Sequence, residues 1–169
     1  MKKTMLRTLA TLCLAAILIS VGGSACADSA TLKSTKDFLS FLDGKGIVYD
    51  YIGVNGKYEE VDVKERMDNY PYLICELHFR NDCEELSLRI WDIVKAKADK
   101  ETVCAVLNEL NNQYKIVKFV YDESDSTVQA EMDMYIDGDH CGRSVYDAMN
   151  AMFNVVDNDE AAKALKALE

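Results

Sequence analysis

Two-residue alternation from Tyr72 to Ile90 constrains this chain more than any other feature. Leu73, Cys75, Leu77 and Phe79 fall on one face of a strand, and Tyr72, Ile74, Glu76 and His78 on the other. After a turn at Arg80–Glu84, Leu86, Leu88 and Ile90 resume the apolar row, with Glu85, Ser87 and Arg89 opposite. A helix scatters a period of two around its axis, so these segments must be strands. A sheet that is apolar on one side needs a cover on that side, and helices are the usual cover.

The flanking sequence supplies both. Ser34 or Thr35 starts a helix with Phe38, Leu39 and Leu42 on one side, and Gly44 and Gly46 stop it. Ile47–Val54 is β-branched and aromatic, and Asn55-Gly56 turns it into a returning strand, Tyr58–Val63. Pro71 marks the start of the next strand. Asp99–Gln113 has helical period through Val103, Val106, Leu107 and Leu110. Val117, Phe119 and Tyr121 share a face of a fifth strand, and Asp122–Ser126 turn the chain. A sixth strand carries Val128, Ala130, Met132, Met134 and Ile136 inward, with Gln129, Glu131 and Asp133 outward. A helix beginning near Asp139 buries Val145, Met149, Met152 and Phe153, and Asp157 and Glu160 form a capping box for a terminal helix. The expected class is α+β: a mainly antiparallel sheet of about six strands with helices packed on one face.

The N-terminus carries an address. Met1–Arg7 is short and positive, Leu9–Val21 is a 13-residue apolar run, and Gly22-Gly23 breaks it. As a helix that run spans about 20 Å, short of a hydrocarbon core of roughly 30 Å, so residues 1–27 read as a signal peptide and not as an anchor. Ala25-Cys26-Ala27 offers small residues for cleavage before Asp28. Gly23-Ser24-Ala25-Cys26 offers a second reading, a lipobox with Cys26 lipidated. Residues 28–33 then form a linker and 34–169 one domain outside the cytoplasm.

Charge narrows the partners. Removing Lys2, Lys3 and Arg7 with the leader leaves 16 basic against 29 acidic side chains, a net charge of −13. Such a surface repels phosphate backbones and anionic headgroups, so neither nucleic acid nor a membrane is expected as a partner, a lipid anchor at Cys26 aside.

Leu107-Asn108-Glu109-Leu110-Asn111, followed by Val128-Gln129-Ala130-Glu131-Met132-Asp133-Met134, resembles the YbjN family over roughly 36–156. That family is described as regulators of bacterial sensory transduction. The resemblance implies the fold of type III secretion chaperones, α+β proteins that pair as dimers and hold extended polypeptide. An export signal is at odds with a cytoplasmic chaperone's task, and fold alone does not fix function.

Candidate chemistry is sparse. Cys75, Cys83, Cys104 and Cys141 lack a Cys-x-x-Cys pair, and Cys75 and His78 point to opposite faces of one strand, so neither a metal site nor a cofactor is expected. Outside the cytoplasm an even count permits disulfides, with Cys83 and Cys141 the more accessible thiols. Cys141 at a helix start, beside His140, is a candidate nucleophile, opposed by Asp137 and Asp139. Glu131 and Asp133 share a strand face at acid–base spacing, with no apolar pocket to separate their titrations. Asp137-Gly138-Asp139 and Asp157-Asn158-Asp159 lack the distal Glu of a calcium loop. Trp91 admits two readings: a bulge turns it inward, or it lies exposed beside Tyr72 and Ile74 as an anchor for a protein contact. The expectation is therefore a non-enzymatic binding domain whose Tyr72, Ile74 and Trp91 surface serves self-association or a protein or peptide partner. The alternative is a small envelope enzyme or thiol redox protein using Cys141 or the Glu131/Asp133 pair.

Overall fold

The computed structural model describes residues 29–80, 84–138 and 140–169. Along them run α1 (Lys33–Lys45), β1 (Asp50–Asn55), β2 (Tyr58–Glu65), β3 (Leu73–Arg80), β4 (Glu85–Lys95), α2 (Lys100–Gln113), β5 (Lys118–Asp122), β6 (Thr127–Tyr135), α3 (Gly142–Val156) and α4 (Asp159–Lys166). The six strands form one sheet in the order β1-β2-β3-β4-β6-β5, antiparallel throughout. This is the α+β arrangement that the alternation requires. Residues 1–27, read above as a signal peptide and including Cys26, lie outside the described residues, as do Cys83 and Asp139; among the described residues no helix is long and apolar enough to cross a membrane.

One face of the sheet is the core. Cys75, Leu77, Phe79, Leu86, Leu88 and Ile90 are buried on it, with Phe38, Leu39 and Leu42 of α1, Leu107 and Leu110 of α2, and Met149, Met152 and Phe153 of α3 in the same cluster. Phe38 meets Phe79 with ring centroids 5.6 Å apart. The helices α1 and α3 approach closely at Gly142, where an added Cβ would stand 2.8 Å from Phe41 Cβ and 2.9 Å from the Asp37 carbonyl oxygen. At the same place Asp37 accepts the Gly142 N–H at 2.6 Å, answering an otherwise orphaned donor in the first turn of α3.

Local signals held where they were strong and moved where tertiary contacts competed. Gly46 ends α1 in the left-handed region (φ 70°), whereas Gly44 lies within the helix. The hairpin loop is Gly56-Lys57, with Asn55 and Tyr58 paired, one residue later than the Asn55-Gly56 expectation. Neither Ser34 nor Thr35 caps α1; both are buried. Glu59 of β2, only 1% exposed and facing the core, takes over part of that task. It accepts the Thr31 N–H at 2.7 Å, the Leu32 N–H at 3.2 Å and the Thr31 hydroxyl. Burial pushes the Glu59 carboxyl up, but the donors from Thr31 and Leu32 help to outweigh it and hold the group below the usual range. At α4 the cap is Asn158, accepting the Glu160 N–H at 3.0 Å. Asp157 instead accepts the backbone N–H groups of Asp68 and Asn69 at 3.0 and 2.8 Å, fastening the β2–β3 connection to the α3–α4 junction.

Candidate interaction face

The face of the sheet opposite the helices is where charged and apolar side chains collect, and strand register sets their order. Asp50 pairs with Asp62, Asp62 with Glu76, Glu76 with Arg89, Arg89 with Glu131, and Glu131 with Lys118. This row crosses all six strands, and its first three members are all carboxylates. A second row runs from Glu60 through His78 and Ser87 to Asp133. The β4–β6 half is balanced: Arg89 donates to Asp133 at 2.9 Å and stands 3.9 Å from Glu131. The β1–β3 half carries Asp50, Glu60, Asp62 and Glu76 close together.

That crowding shows in the titrations. Burial first, then Glu76, Glu60 and Asp50, push the Asp62 carboxyl to about 6. Burial lowers the His78 imidazole below its ordinary value, although Glu60 and Glu76 pull the other way, so the ring is neutral near pH 7. His78 Nε2 is buried without a hydrogen-bond partner and stands 3.6 Å from Glu76 Oε2. Tyr58 stacks on the imidazole with centroids 4.3 Å apart.

Beside this acidic patch lie the three residues read as a contact surface. Tyr72 is 52% exposed, Trp91 41% and Ile74 38%. Continuing the β3–β4 register two residues past Glu76 and Arg89 sets Ile74 across from Trp91. Lys64 Nζ stands 3.6 Å from the Tyr72 ring centroid. The Trp91 indole N–H donates to Glu76 Oε2 at 2.6 Å, which joins the apolar cluster to the carboxylates. The bulge does exist, but it does not turn Trp91 inward. Three residues of β4, Trp91 to Ile93, stand opposite Gln129 alone, and Asp92 takes a positive φ of 49°. The register shift returns Ile93 and Val94 to the core and leaves Trp91 on the outer face. Gln129 shares the outward face with Glu131, to whose Oε1 it donates at 2.6 Å, but it is buried there.

The enzymatic alternatives fare differently. Cys141, expected to be accessible, is fully buried; its thiol donates to the Ser34 carbonyl at 3.4 Å. Burial, then the Asp37 and Asp137 carboxylates, push it to about 11, against what a nucleophile needs. Cys75 is buried and raised further, again chiefly by burial. Cys75, Cys104 and Cys141 are unbonded thiols. Glu131 and Asp133 share an arginine partner, and Gln129 occupies one carboxylate oxygen of Glu131, so their spacing reflects a cross-strand ion-pair ladder. An open hollow of about 300 Å³ lies elsewhere, lined by Glu65, Met67, Asp68, Asn150, Phe153 and Asp157. Its Asp157 already holds two backbone N–H groups.

The trio Glu60, Glu76 and His78 carries no signature in the sequence. One atom from each lies within 4.8 Å of the others. A Glu and a His two apart on a strand were visible; that Glu60 stands across from His78 depends on the β2–β3 register, which the sequence does not declare.

No curated protein matches this chain at a significant level. Among solved structures it is similar to one described as "Crystal structure of YbjN, a putative transcription regulator from E. coli", at 10% identity and a TM-score of 0.48, covering 73% of this chain and 89% of that one. A family model described as "YbjN: Putative bacterial sensory transduction regulator" matches residues 39–144, from within α1 to the first turn of α3, and the chain belongs to the YbjN family.

Proposed function

We propose that this YbjN-family chain is an exported, non-enzymatic regulatory domain that binds a protein or peptide partner on the open face of its sheet. The observation that carries this reading is the joint exposure of Trp91, Tyr72 and Ile74 on a sheet face that no described helix covers. Export rests on the N-terminal pattern of positive, apolar and small residues from Met1 to Ala27. Asp50, Glu60, Asp62 and Glu76 beside the apolar cluster favour a partner bearing lysine or arginine over a second, equally acidic copy of the chain.

Trp91 is the sole tryptophan, so its emission reports on this face directly. Crosslinking and capture from the native envelope, run with wild type and Trp91→Ala in parallel, tests the reading. The expected result is a partner retained by wild type, lost by the variant at unchanged far-UV circular dichroism, and weakened by salt. A partner retained equally by Trp91→Ala, or wild-type Trp91 emission unmoved when the purified partner is added, would overturn it. Intact mass of the envelope form tests export, and separates cleavage after Ala27 from lipidation at Cys26.

A further inference from the structure

We infer that Glu60, Glu76 and His78 form a site for a divalent transition-metal ion of the zinc class on the outer face of β2 and β3. The inference goes beyond the docking reading and does not rest on it.

One imidazole and two carboxylates are a ligand set suited to such an ion. One atom from each lies within 4.8 Å of the other two. Ligands about 2.1 Å from a tetrahedral zinc lie roughly 3.4 Å from one another, so small rotations of two glutamates close the remaining gap. The distance between His78 Nε2 and Glu76 Oε2 is 3.6 Å, too long for a hydrogen bond and close to the separation of two ligands on one ion. His78 Nε2 is also buried and has no hydrogen-bond partner, a condition that ordinarily costs a polar atom free energy and that metal ligation would remove.

Each of the three side chains is held by a neighbour outside the cluster. Trp91 donates to Glu76 at 2.6 Å, Asn55 Nδ2 donates to Glu60 Oε2 at 3.3 Å, and the Tyr58 ring lies stacked on the His78 imidazole. Outer partners of this kind are what orient ligands at metal centres. The charge pattern points the same way. Asp50, Asp62 and Glu76 stand directly opposite one another across three strands, like charges that destabilise a sheet, and Arg89, the cation across from Glu76, is engaged with Asp133. A ligating imidazole disfavours calcium and magnesium, which take oxygen ligands.

The test is metal titration of the purified full chain, cleared of metal, in a Cys104→Ser background that removes a competing half-buried thiol. Zinc chloride is added with calorimetry and Trp91 emission as readouts, and cobalt(II) is used for its visible spectrum. The expected result is one zinc per chain, a change in Trp91 emission and a cobalt spectrum of low coordination number. His78→Gln, Glu60→Gln and Glu76→Gln should each weaken zinc at least about tenfold. Glu131→Gln with Asp133→Asn, removing two acids from the same face, should leave affinity within about twofold. Circular dichroism confirms that each variant is folded. Absence of zinc binding, retention of affinity in His78→Gln, or equal weakening in the Glu131→Gln/Asp133→Asn control would overturn the site. Since no partner enters the assay, its failure is separate from failure of the docking reading.

Discussion

Asn111 closes the outer edge of the sheet on Phe119. The Phe119 N–H donates to Asn111 Oδ1 at 2.7 Å, and Asn111 Nδ2 donates to the Phe119 carbonyl at 2.9 Å. The side-chain amide thus mimics one residue of a seventh strand, at an edge strand where a free backbone row would invite pairing with another chain. It also gives a physical reason for the final asparagine of the Leu-Asn-Glu-Leu-Asn run.

Asn111→Ala should therefore do two things. Two partly buried backbone groups lose their partners, at a cost of about 1–3 kcal/mol in unfolding free energy measured by urea denaturation. The bared β5 edge should also make light scattering rise with concentration in the folded range. Unchanged stability would mean that water replaces the amide at no cost.

Asn111 also marks the boundary between what the sequence declared and what it hid. Strand alternation at Leu73–Phe79 and Leu86–Ile90, and the helix ending at Gly46, are local signals and emerged directly. Contacts that join distant segments did not. Glu59, between Tyr58 and Glu60, carries no local mark of burial; strand pairing sets it on the core side, where it meets Thr31 and Leu32. Cys141 reads as an accessible helix start, and the Ser34 carbonyl that covers it lies 107 residues earlier. Gln129 reads as outward, and its burial on that face goes with the two extra residues of the β4 bulge that stand across from it. The carboxylate row through Asp50, Asp62 and Glu76 required two registers at once, and one of them crosses the Arg66–Tyr72 connection.

Gly142→Ala should be among the most damaging small substitutions. The new methyl would stand 2.9 Å from the Asp37 backbone oxygen, which cannot rotate away, and 2.8 Å from Phe41 Cβ. Parting α1 from α3 to make room should cost about 1–3 kcal/mol. It should also loosen the cover over Cys141, so the variant's Cys141 should alkylate faster than wild type. A stable variant with an unreactive thiol would show that the helices adjust freely there.

In wild type the thiols should separate by reactivity. A thiol near 11 holds about a hundredth of the thiolate of an ordinary one near 9 at neutral pH, and buried Cys141 reacts only after local opening. Among the described cysteines, iodoacetamide labelling followed by peptide mass mapping should modify half-buried Cys104 first, with Cys75 and Cys141 protected until denaturant is added. Early labelling of Cys141 would revive the nucleophile reading.

Alkaline pH should weaken the fold through Tyr70. Its ring is buried, with Lys166 Nζ 4.9 Å from the ring centroid, and its hydroxyl has no hydrogen-bond partner. Burial, then the Asp157 and Glu169 carboxylates, push the phenol up to about 12. An unfolded tyrosine titrates near 10, so between those values the native state holds a proton that the unfolded chain has released. The corresponding stability is fully present below about pH 10 and is lost as pH rises through about 12, a change of up to roughly 2–3 kcal/mol. Urea denaturation across that window should show unfolding free energy falling less steeply in Tyr70→Phe than in wild type. At neutral pH the variant should be as stable or slightly more so, because it removes an unpartnered hydroxyl. Parallel curves for the two proteins would mean that Tyr70 reaches solvent and titrates as an ordinary phenol.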